Sequence, residues 1–196
     1  LGPYFNDRSC VACHSDPTLG GRGRDMGVGL MVHAPPGDPS DTVGLRSHAI
    51  PGRAAEEPNG HVAHRRAPPL YGIGRLDAVT NEVMLANADP DDLDQDGIRG
   101  IANDRGHNSP GVRTARFGAK AHEWNLYRFI GSALRDEMGV TNEVSRSQSA
   151  DDDGIDDPEA PPEFVGRVDA FVRHLAPPPR GQITAAVLEG EALFDK

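Results

Sequence analysis

Cys10-Val11-Ala12-Cys13-His14 constrains this chain more than any other stretch, and it holds the only two cysteines among 196 residues. A C-x-x-C-H pentad is the attachment signature of c-type haem. The two thiols add across the haem vinyl groups as thioethers. The adjacent histidine is then held under the iron as its axial ligand. Other uses of the pair fit less well. A thioredoxin-like C-x-x-C needs a preceding strand, and Phe5-Asn6-Asp7-Arg8-Ser9 does not read as a buried one. Zinc needs further ligands at set spacing, and there is no second cysteine pair. A disulfide across two residues would staple little.

A covalent haem also compensates for a thin core. Hydrophobic residues make up 37% of the chain and aromatics 5%, against 23 glycines and 17 prolines. Such a composition predicts long loops and little regular structure, with the apolar macrocycle supplying core that side chains lack. A formal net charge of −10 argues against a nucleic-acid partner and favours a basic redox partner. No run approaches ~18 apolar residues, so no membrane span is expected. Thioether attachment takes place outside the cytoplasm, which predicts a periplasmic or extracellular location. The chain opens on Leu1 rather than Met and closes on what reads as an unfinished helix, which predicts a processed or truncated product.

Periodicity predicts a mainly α fold, a cytochrome c-like haem domain with long irregular loops. Residues 20–65 show almost no periodicity. A helix is expected within 68–88, carried by Val79, Val83 and Leu85. Residues 121–138 give the best helix, with Trp124, Tyr127, Ile130, Leu134 and Met138 on one stripe and Gly139 as its stop. Residues 163–175 form a second amphipathic helix through Phe164, Val165, Val168, Phe171, Val172 and Leu175. Pro177-Pro178-Pro179 ends it, and a last helix starts near Thr184. The expected organisation is a haem domain over 1–175, a Pro-rich linker over 176–183, and the start of a second cytochrome c-like domain over 184–196.

Several phrases in order carry a family resemblance. They are Leu1-Gly2-Pro3-Tyr4-Phe5-Asn6, Pro68-Pro69-Leu70-Tyr71-Gly72-Ile73-Gly74, Asp94-Gln95-Asp96-Gly97-Ile98, Arg116-Phe117-Gly118, Met138-Gly139-Val140-Thr141-Asn142 and Val172-Arg173-His174-Leu175-Ala176-Pro177. The chain resembles the first haem domain of bacterial di-haem oxidoreductases, relatives of di-haem cytochrome c peroxidases. In such families a second C-x-x-C-H follows a phrase like Gly190-Glu191-Ala192-Leu193-Phe194, where this chain stops.

The resemblance implies site roles. A histidine from the loop after the motif can fill the sixth iron position, which here points to His33, His48, His61 or His64, with Met26 and Met31 as rivals. Glu137, just before Met138-Gly139, matches a glutamate that moves a proton between the two peroxide oxygens. Those peroxidases place a glutamine ten residues earlier, where this chain has Tyr127. A tyrosine there could be a ligand, a hydrogen-bond donor or a radical site. His122, His174 and Trp124 read as structural.

Asp92-Leu93-Asp94-Gln95-Asp96-Gly97 opens like a calcium loop, because carboxylates at alternate positions can converge on one hard cation. Its twelfth position is Asn103 rather than Glu, so the full EF-hand pattern fails and a looser site through Asp92, Asp94 and Asp96 is expected. Two functions fit these residues. One is a haem peroxidase or oxidoreductase, with electrons arriving from a small c-type cytochrome or a second haem domain. The other is a non-catalytic electron-transfer cytochrome or a subunit of a larger redox assembly.

Overall fold

The computed structural model describes residues 2–23, 31–34, 43–57, 61–103, 114–118, 121–147 and 153–194. Among them the chain runs β1 (Tyr4–Phe5), α1 (Cys10–Cys13), β2 (Met31–Ala34), β3 (Val43–Leu45), β4 (His48–Ala49) and β5 (His61–His64). Then follow α2 (Ile73–Asp77), α3 (Asn81–Ala86), α4 (Leu126–Met138), α5 (Phe164–Arg173) and α6 (Ala185–Phe194). Helices and irregular segments dominate, in keeping with a mainly α chain.

Helix α4 is the centre of the fold. Asn125 caps it by accepting from Arg128 N at 2.8 Å, so the helix starts later than hydrophobic periodicity alone predicts. Leu126, Ile130 and Leu134 recur at helical spacing and are buried. They pack with Phe117 and with Val165 and Val172 of α5 into one core, flanked by Leu70, Ile73, Val144 and Val168. Each such side chain, fully buried, stabilises the fold by about 1.5–3 kcal/mol. Gly131 lets the next segment close on this helix, since a Cβ there would lie 2.5 Å from that of Val144.

Three expectations need correction. The helix expected within 68–88 is two, α2 and α3. Thr80 interrupts it because its hydroxyl accepts from Val83 N and starts a new helix there. On α5, Phe171 is 56% exposed and Phe164 lies at the rim. Val165, Val168 and Val172 face α4, and each phenylalanine sits about 100° round the helix from the valine that follows it. Residues 20–65, where periodicity predicts no regular structure, hold short strands. There β2 pairs antiparallel with β3 and with β5, matching Met31 to Leu45 and His64. Strands of three or four residues are too short to leave a legible alternation.

A second, two-stranded sheet positions the site. β1 pairs with β4, Tyr4 opposite Ala49 and Phe5 opposite His48. Phe5 is buried and its ring stacks on His48 at 5.5 Å. This sheet lies against the end of α4, where Gly139 turns into the left-handed region at φ 67°. A Cβ on Gly2 would fall 1.9 Å from the Gly139 carbonyl oxygen, so the two backbones meet where neither carries a side chain.

Candidate haem site and acid–base residue

That close approach puts the segment before the cysteine motif within reach of the α4 terminus. The last carbonyls of a helix have no partner inside it. Here the Glu137 carbonyl accepts from Asn6 N at 2.7 Å and from Asp7 N at 3.2 Å. The Asn6 side chain adds a third bond, its Nδ2 donating to Glu137 Oε2 at 2.7 Å. One residue further along α4, Met138 Sδ lies 3.9 Å from Cys10 Sγ. Residues 128 or more positions apart in sequence thus form one site.

Cys10 and Cys13 sit, with no disulfide between them, on the single turn of α1, where Val11 opens to the surface, Cys13 is half-buried and the Cys10 sulfur lies against Met138. Burial pushes both thiols up, and for Cys13 the charges of Asp7, Glu137 and Cys10 add to the rise. His14 follows, with Nδ1 donating to the Pro68 carbonyl at 2.9 Å. A carbonyl can only accept, so Nδ1 carries the proton and Nε2 keeps its lone pair. Burial also pushes the His14 imidazole down, with backbone bonds to Pro68 and Gly21 opposing. A neutral ring that keeps a nitrogen lone pair is the form that binds a metal. The Pro68 segment is held in turn by Leu70 N on the Gly20 carbonyl and by Gly20 N on that of His14. Two vicinal thiols, an imidazole so oriented and a facing carboxyl fit a covalently attached haem.

Glu137 is the electrostatic outlier. Burial pushes its carboxyl up to about 7, Asp136 adding to the rise while the Asn6 bond and the Arg46 charge oppose it. Arg46 stays back because its guanidinium is held by both oxygens of Glu56, Nε at 2.9 Å and Nη2 in a close ion pair. Its flat face lies over Tyr4, 5.5 Å from the ring centre.

Of the other expected site residues, Tyr127 lies ten positions before Glu137 on α4, about 15 Å along the helix. Its hydroxyl donates to Glu143 Oε1 at 2.8 Å, and that bond holds the phenol above its ordinary range. His48 rests on Phe5, and its Nδ1 meets Ser47 Oγ at 2.9 Å. His64 is exposed at the end of β5. Met31 and His33 lie on β2 and His61 on β5, placed by register alone, and Met26 falls outside the described residues. In the acidic loop the carboxylates of Asp89, Asp92 and Asp94 lie within 4.8 Å of one another. Asp96 Oδ1 instead accepts from Ile98 N at 2.7 Å. Asp89 thus joins Asp92 and Asp94 in the place expected of Asp96. Its antiparallel bridge to Gly100, which closes the loop, leaves no periodic signal in sequence.

The family described as di-haem oxidoreductase, putative peroxidase, matches residues 32–172. The chain belongs to the di-haem oxidoreductase family. No curated protein and no solved structure matches it. The matched span includes Pro68 and Glu137, whereas the Cys10–His14 pentad precedes it. Two separate signals, one of family and one of motif, therefore meet at the same place in the fold. Among the described residues no helix is long and apolar enough to cross a membrane.

Proposed function

We propose that this di-haem oxidoreductase chain carries a covalent c-type haem and takes part in the reduction of peroxide. The observation that carries this reading is the contact between Glu137 and the segment leading into the cysteine motif. Cys10 and Cys13 hold the macrocycle by thioethers and His14 ligates the iron through Nε2. The domain is cytochrome c-like in that sense. The bound haem supplies the redox centre at which an O–O bond is cut. Reduction of hydrogen peroxide to two waters takes two electrons and two protons. Glu137 takes the proton from the incoming peroxide and returns it to the departing oxygen. A carboxyl near 7 does both near neutral pH, whereas one at its ordinary value of 4.5 would be a weak acid there. The electrons come from a small c-type cytochrome or a second haem domain. A net charge of −10 favours a basic partner, and thioether chemistry favours the periplasm or beyond.

The test is an intact mass after denaturation, then ferrous spectra with carbon monoxide. One haem that survives denaturation in the native chain, and is lost covalently when Cys10 and Cys13 are both replaced by Ala, is expected. Carbon monoxide should bind, and Glu137→Gln should lose most peroxide turnover while still binding it. Failure to bind carbon monoxide would leave a permanently six-coordinate electron carrier instead. A mass equal to the bare chain would remove the haem assignment.

A further inference from the structure

Resting on that reading of Glu137, we propose that Asn6 is a positioning residue that orients the Glu137 carboxylate beside the haem motif. Its side-chain amide is fixed at both ends. Oδ1 accepts from Ser47 N at 2.9 Å and from Ser47 Oγ at 3.2 Å. An amide nitrogen could not accept the backbone N–H, so the NH2 end must face Glu137 Oε2, 2.7 Å away. The Asn6 backbone N grips the Glu137 carbonyl as well. One residue thus holds both the main chain and the side chain of Glu137. Phe5, buried next to it and paired with His48, fixes where Asn6 stands.

The chemistry favours an amide at this position. A lysine or arginine would lock the carboxyl in its ionised form. Arg46, whose charge acts on Glu137, is already bound by Glu56. A neutral donor steadies the carboxylate yet lets it take up and release a proton. Among the described residues, the charged or titratable groups around Glu137 include Asp136 on its own helix, Arg46 before β4, Cys13 on α1 and Asp7 between β1 and α1.

The experiment compares the haem-loaded wild type with Asn6→Ala, Asn6→Asp and Glu137→Gln. Infrared difference spectra against Glu137→Gln follow the protonated carboxyl band of Glu137 through a pH titration. The acid limb of the peroxide rate is measured beside it. Removing a donor to the charged form raises the midpoint, by about one pH unit for Asn6→Ala. Asn6→Asp keeps the Ser47 bonds and the shape but opposes one carboxylate with another, so its midpoint should move further up. The rate limb should follow both. A purely structural role would lower haem loading or rate without this order. An unmoved or lowered midpoint in Asn6→Asp overturns the proposal, and that variant decides where Asn6→Ala does not load haem. Full peroxide turnover by Glu137→Gln would instead overturn the acid–base reading, while the infrared titration still judges Asn6.

Discussion

Glu137→Gln should make the protein more stable, and the gain should depend on pH. The carboxyl has an ordinary value of 4.5, which is raised to about 7 in the fold. Below 4.5 the group is protonated in both folded and unfolded chains and contributes no difference. Between 4.5 and 7 the unfolded chain releases its proton first, so folding grows less favourable as pH rises. Above 7 both states are ionised and the full penalty applies. A shift of about 2.5 units at about 1.36 kcal/mol each gives about 3 kcal/mol at pH 8. Glutamine has nearly the same shape, and its oxygen can still accept from Asn6 Nδ2, so packing should change little. Urea unfolding of both proteins from pH 4 to pH 8 would reveal a gain near zero at the acid end that grows through the neutral range. A difference that stays flat with pH, or shrinks as pH rises, would refute the claim that burial opposes ionisation here.

Two further substitutions probe the frame around the site. Asn142 is fully buried, its Nδ2 donating to the Gly131 and Val140 carbonyls and its Oδ1 accepting from Val144 N and Ser145 N. Asn142→Ala should therefore cost about 3 kcal/mol in urea unfolding, and a loss under about 1 kcal/mol would show those backbone groups find other partners. Tyr127→Phe removes the bond to Glu143, whose Oε2 is buried without a hydrogen-bond partner among the described residues. It should lower stability by about 1–3 kcal/mol and leave the pH profile of peroxide turnover in place, and a moved profile would tie Tyr127 to the chemistry.

The legible parts of this chain were the local ones. Leu126, Ile130 and Leu134 repeat at helical spacing, and Gly139 ends that helix as its position suggests. The pentad is local too, since five consecutive residues hold the attachment chemistry. What sequence did not reveal depends on distant partners. Nothing near Asn6 marks it as the partner of a glutamate 131 positions away. Only the glycine pair at Gly2 and Gly139 hints at a close crossing, and a glycine signals permission rather than a partner. The approach of Asp89 to Asp92 and Asp94 is hidden for a related reason. Alternation within 92–96 points to Asp96, but the backbone reversals at Asp92 (φ 54°) and Gln95 (φ 61°) break that alternation in space. A short strand such as β1 leaves no pattern, because two residues cannot show a period.

The place of Glu137 on its helix accounts for its properties better than its residue type does. In the last turn its carbonyl has no partner within α4, so it can tether the segment that leads to Cys10. Mid-helix, that carbonyl would be consumed by the helix itself. The same end of the helix carries partial negative charge, which disfavours an anion and acts in the same direction as burial. The side chain also projects where the chain must turn away at Gly139, which leaves room for Asn6 and the cysteine turn to approach. Helix end, tether and raised proton affinity are thus consequences of one location. Moving the carboxylate one turn earlier, to Ala133, would separate them, since residue 133 has helix on both sides.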